Sequence, residues 1–135
     1  MRDNRFSILL RKSGVWLSAF ALWALLLWIL SGRPLPEANT INLPGFDKIL
    51  HFVYFLIGAF LLSIALYLRG LSSWYRNLLV VLITVAVIGA LDEWHQSWIP
   101  GRSGNDLGDW IADLLGGIAG ALISKSLHSL RKTPI

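Results

Sequence analysis

The chain of 135 residues has no cysteine, which excludes disulfides, thiolate metal sites and a cysteine nucleophile. Charge is scarce. Asp, Glu, Lys and Arg make up 15% of residues, against about a quarter in a soluble domain. No polar low-complexity stretch and no repeat of 20–50 residues occurs, which excludes a disordered or solenoid chain. What is abundant is apolar: 55% of residues are hydrophobic, seven are tryptophan, and mean hydropathy is +0.59. A chain this small has too little interior to hide so much apolar surface from water. A single domain, 1–135, with the lipid bilayer as its main partner, is the reading that fits.

Four apolar segments carry it, with spans expected at 14–31, 49–68, 75–92 and 107–124. Crossing a hydrocarbon core of ~30 Å takes roughly 20 helical residues. The apolar run 15–30 has 16 residues and the run 78–91 has 14, so both must recruit interfacial neighbours. Trp16, Trp28, Trp74, Tyr75, Trp94, Trp98 and Trp110 lie near the proposed ends, as an aromatic belt requires. Trp23 alone is mid-span. A basic start followed by an apolar run also suits a cleaved signal sequence. Leu30-Ser31-Gly32 lacks a small residue at the first key cleavage position, so the segment is read as a retained span. The fold class is therefore an all-α membrane protein, a bundle of four transmembrane helices.

Net charge is +4 and the isoelectric point about 9.9, values that elsewhere would suggest nucleic acid. Here the bases are sorted by side. Arg2, Arg5, Arg11, Lys12, Arg69, Arg76, Lys125, Arg131 and Lys132 flank one face, and only Arg33, Lys48 and Arg102 the other. That asymmetry predicts both termini in the cytoplasm and loops one and three outside. The positive balance is a topology signal, and no nucleic-acid partner is expected. Seven of the eight acids fall on the outward side.

The polar chemistry gathers there. Loop one turns at Arg33-Pro34-Leu35-Pro36 and Leu43-Pro44-Gly45. Asp47, His51 and Tyr54 then share one helical face. Asp47 can cap that helix and Lys48 can snorkel, but His51 needs a partner at its depth. Asp92, Glu93 and Gln96 close the third span, where two carboxylates face the unfavourable end of the helix dipole. Hydration at the interface is one account of them; Arg102, His51 or a bound cation is the other.

Pro100-Gly101 predicts a type II turn, and Ser103 to Asp106 a capping box. Arg102, alone among acids, is either their counter-ion or a fork for carboxylate or phosphate. Asp106, Asp109 and Asp113 share a face, with Asp113 roughly 10 Å inside. A carboxylate at such depth costs on the order of 3 kcal/mol and usually faces protein. Ala112, Gly116, Gly120 and Ser124 form a small-residue stripe beside it, a packing seam within one bundle or a dimer interface, with the seam favoured. The expected polar pocket thus comprises Asp47, Lys48, His51, Glu93, Gln96, Arg102, Asp109 and Asp113. No cofactor is implied, and nothing specifies an oligomer.

Asp47-Lys48-x-x-His51-Phe52, Glu93-x-x-Gln96, Pro100-Gly101-Arg102-Ser103 and Asp109-x-x-Ala112-Asp113-x-x-Gly116, in this order over residues 47–121, resemble the VanZ-like family of bacterial membrane proteins. Asp113 departs from the family, which commonly has asparagine there. The resemblance implies a multi-pass protein of the bacterial cytoplasmic membrane. Through the founding member it implies a link to low-level resistance to the glycopeptide teicoplanin, by a mechanism the resemblance does not supply.

The expected function is an envelope protein whose outward pocket takes a lipid-linked or glycopeptide-type ligand. An alternative is a metal-assisted hydrolase of a lipid-linked phosphate, with ligands drawn from Asp47, His51, Glu93, Asp109 and Asp113, and Arg102 on the phosphate. Transport is disfavoured because the first span has no ionisable residue.

Overall fold

In a computed structural model, which describes residues 9–34 and 45–130, the chain forms four helices. They are α1 (Ser13–Ser31), α2 (Phe46–Leu68), α3 (Trp74–Gln96) and α4 (Leu107–Leu130). No strand occurs among the described residues. All four are long and apolar enough to cross a membrane. At 1.5 Å per residue they run from roughly 28 to 36 Å, against a hydrocarbon core of ~30 Å. The short run 78–91 becomes 23 helical residues because both polar flanks join the helix. Residues 1–8, 35–44 and 131–135 lie outside the described part, including Arg2, Arg5, Arg131, Lys132, Leu35-Pro36 and Leu43-Pro44 of the sequence reading.

Two turns need glycine. Gly70 has φ +90°, and the amides of Gly70 and Leu71 bond the carbonyls of Tyr67 and Leu66, a Schellman end to α2. Gly101 has φ +80°, and the Arg102 amide bonds Ile99 O at 3.1 Å, which makes Ile99–Arg102 the type II turn that Pro100-Gly101 predicts.

Helix α2 is the hub, packing most extensively on α4 and also against α1 and α3. A side chain at Gly116 would run into Phe52 O, and one at Gly120 into Leu56 O. The small-residue stripe therefore faces the α2 backbone within one chain. On the other flank Trp23 of α1 lies over Gly58, stacks with Phe20 at 5.3 Å and donates its indole N–H to Tyr54 O at 2.9 Å. Tyr54 returns its hydroxyl to Trp23 O at 3.2 Å. This mid-span tryptophan is an α1–α2 clamp.

The distribution of polarity is inverted from that of a soluble protein. Leu22, Leu25, Ile83, Val87, Leu115 and Leu122 are exposed, whereas Ser63, Asn77, Asp92, Glu93, Asp109 and Asp113 are buried. That is the arrangement a bilayer selects, since lipid accepts leucine while polar groups need protein partners. Ser63 and Asn77 supply each other: the hydroxyl donates to Asn77 Oδ1 at 2.7 Å, and the amide to Ser63 O at 3.1 Å.

Candidate functional site

The end of α1, the start of α2, the end of α3 and the start of α4 meet at one end of the bundle, and the buried charge is concentrated there. Lys48, in the first turn of α2, spends its three donors on three carboxylates. It reaches Asp106 Oδ2 and Asp109 Oδ1 at 3.1 Å each, and Asp47 Oδ2 at 3.2 Å. One turn deeper, His51 Nδ1 lies 2.9 Å from Oδ1 of Asp113, which is fully buried. With Asp113 ionised, its carboxylate only accepts, so Nδ1 then carries the proton and leaves Nε2, on the other side of the ring, as a lone-pair donor. There it lies 3.9 Å from both Glu93 Oε1 and Asp109 Oδ2.

Glu93 answers the dipole problem. The chain reverses between α3 and α4, so the end of one helix lies beside the start of the next. Glu93 Oε2 accepts the Asp106 amide at 2.7 Å, and Glu93 O accepts the Asn105 amide at 3.2 Å. A carboxylate ill placed at the end of α3 is thus well placed at the positive N-terminus of α4. Asn105, with φ +63°, makes the reversal. Helix α4 is capped by Asp106, whose Oδ1 accepts the Gly108 amide at 2.7 Å. The cap is thus Asp106, three residues later than the expected box with Ser103 as cap. The Lys48 ammonium, and after it the Gly108 amide, hold the Asp106 carboxyl below its ordinary 3.8.

Asp47, Lys48, His51, Glu93, Asp109 and Asp113 therefore come together from three helices. Gln96 is adjacent, its amide donating to Asp92 Oδ2 at 2.8 Å. Arg102 stands apart, which corrects its expected place in the pocket. Its Nε donates to Arg33 O at 3.2 Å and a terminal nitrogen to Leu30 O at 3.1 Å, so it closes the carbonyl end of α1. His95 is also elsewhere, stacked on Trp28 at 3.9 Å with Nδ1 3.2 Å from the Ser31 hydroxyl.

Asp47 makes no helix cap; that position is Gly45, and Asp47 binds Lys48. Two participants were read otherwise from sequence: Asp106, taken as part of a cap, also binds Lys48, and Asp92 is a buried partner of Gln96.

Three carboxylate oxygens here are buried without a hydrogen-bond partner: Asp92 Oδ1, Glu93 Oε1 and Asp113 Oδ2. Two groups have donors within 4.8 Å of one another, as metal ligands would be: His51, Glu93 and Asp109, and Asp47, Asp106 and Asp109. The second already surrounds the Lys48 ammonium. A shallow groove of about 300 Å³, lined by Ala90, Glu93, Asn105, Asp106, Leu107 and Trp110, runs up to Glu93.

These features define an all-α membrane protein, four helices with a charged cluster sunk into one end of the bundle. Within that class the chain belongs to the VanZ/LLP1 family, whose pattern matches residues 6–128 and so reaches all four helices. No curated protein and no solved structure matches it.

Proposed function

We propose that this protein sits in the bacterial cytoplasmic membrane with both termini inside, and that its acidic mouth opens outward. There it binds the polar head of a lipid-linked or glycopeptide-type ligand, the activity that would tie it to teicoplanin resistance. The nine-to-three sorting of bases supports the orientation. The observation that carries the binding reading is unspent acceptor capacity: three buried carboxylate oxygens without hydrogen-bond partners, where five acids share Lys48 and His51 and a sixth, Asp92, is held only by Gln96. Such a mouth selects ligands that bring ammonium, amide or hydroxyl donors.

Reporter fusions at residues 40, 72 and 100 should read outside, inside and outside. A susceptible host expressing the wild type should tolerate more teicoplanin than one expressing Glu93→Gln or Asp109→Asn at equal membrane levels. Equal susceptibility of wild type, variants and empty vector, with no lipid-linked species copurifying, would refute the reading.

A further inference from the structure

Around His51 the spacing of the donors does not suit hydrogen bonds. An imidazolium between two carboxylates draws an oxygen in to 2.7–2.9 Å. Here Nε2 stands 3.9 Å from Glu93 Oε1 and 3.9 Å from Asp109 Oδ2. Nδ1, in contrast, is at hydrogen-bond distance from Asp113. The three atoms facing the gap can all act as lone-pair donors, and Glu93 Oε1 is buried with no hydrogen-bond partner.

The rest of each side chain is anchored. Glu93 Oε2 takes the Asp106 amide, Asp109 Oδ1 takes Lys48, and His51 Nδ1 takes Asp113. Each residue is therefore fixed by one atom and presents another to the same point. Nε2 stands 3.9 Å from each oxygen and the ligand atoms of the three residues lie within 4.8 Å of one another, so a common centre lies roughly 2.0–2.5 Å from each, in the range of metal–ligand lengths of divalent ions.

We infer that His51 Nε2, Glu93 Oε1 and Asp109 Oδ2 form a three-ligand site for one divalent transition-metal ion, with Asp113 as the residue that positions the imidazole. A carboxylate on the far ring nitrogen is the usual support of a metal-bound histidine, fixing tautomer and ring direction. Two ligand carboxylates balance a divalent charge, which lowers the cost of holding it at membrane depth. One imidazole with two carboxylates favours Zn²⁺ or Mn²⁺ over Mg²⁺ and Ca²⁺, which prefer all-oxygen shells. Three protein ligands leave at least one coordination position open, and of the three Glu93 also borders the groove. The inference shares Glu93 Oε1 with the ligand reading above, but it rests on the cluster's geometry and requires no teicoplanin-type ligand.

The test uses the full chain in lipid nanodiscs, stripped with chelator and titrated with Zn²⁺, with bound metal counted by elemental analysis. One Zn²⁺ per chain is expected, displaced by Mn²⁺ far more readily than by Mg²⁺ or Ca²⁺. Asp113→Asn should weaken binding roughly 10–100-fold, and His51→Gln and Asp109→Asn more than that. His95→Gln should bind like the wild type. Helicity and size-exclusion profiles show which variants fold.

X-ray absorption at the zinc edge gives a reading independent of any variant: an all-N/O shell containing one imidazole. No stoichiometric ion in the folded wild type, a shell with no imidazole or two, or full binding in folded His51→Gln would each overturn the site. Susceptibility to teicoplanin is scored separately, so metal binding without resistance would sink only the ligand reading.

Discussion

Replacing Gly116 by alanine puts a single methyl group where α4 lies directly against the α2 backbone. The added Cβ would lie 3.0 Å from Leu56 N and 3.1 Å from Phe52 C, with Phe52 O nearer still. These are backbone atoms, so no rotamer change relieves the contact and the helices must part by several tenths of an ångström. Overpacking of this kind costs about 1–3 kcal/mol, and a rigid backbone neighbour puts it at the upper end. Alanine's better helix propensity offsets up to ~1 kcal/mol, leaving a net loss of about 2 kcal/mol.

Gly117→Ala is the matched control one residue on. Its Cβ would come nearest the Val85 side chain, at 3.2 Å, and not the backbone, so it should cost clearly less than Gly116→Ala. Gly14→Ala meets nothing within 4 Å and should be neutral or slightly stabilising. Unfolding in mixed micelles, followed by far-UV circular dichroism, would rank the three. Gly116→Ala indistinguishable from Gly117→Ala would refute the claim that this seam sets the helix spacing.

Three further outcomes follow from the contacts. Because Asp106 titrates below its ordinary 3.8 when folded, its stabilising contribution is full above that value and is lost as pH falls through the lower folded one. Asp106→Asn keeps a capping side chain and should flatten the acid limb of the melting curve between about pH 5 and about pH 2; an unchanged limb would count against the Lys48 tie. Arg102→Ala should cost under about 1 kcal/mol and leave Zn²⁺ binding intact, since its partners are α1 carbonyls; lost metal binding would return Arg102 to the site. Ser63→Ala strips the buried Asn77 Oδ1 of its donor and should cost roughly 1–3 kcal/mol, whereas Ser63→Ala with Asn77→Leu should cost less than the two singles summed. Additivity in that thermal-stability cycle would argue against the pair.

The spans were legible because apolar runs and interfacial tryptophans report directly on the bilayer. Their ends were less so: the third span, expected at 75–92, runs on to Gln96, with Glu93 and Gln96 buried in its last turn. Asp113 was legible from its depth and its place beside the small-residue stripe. His95 lies outside the cluster by helical period: two residues beyond Glu93 it is about 200° round α3, turned towards Trp28.

Arg102 had no such signal. Its partners lie 69 and 72 residues away and are backbone carbonyls, which carry no side-chain identity to read. The cap shifted from Ser103 to Asp106 because both residues can cap, and the choice falls to the left-handed Asn105 between them.

Glu93 links scaffold to site. A carboxylate at the end of α3 looks misplaced until the reversal brings the α4 amides to it, and then one oxygen suffices to hold the turn. The second oxygen is left over, buried, and directed at His51 Nε2. A group that captured this oxygen would pull on the residue that fixes the start of α4, where Asp106 and Asp109 hold Lys48. Occupation of the mouth would therefore order the cluster and the 97–106 turn together, because both depend on the same side chain.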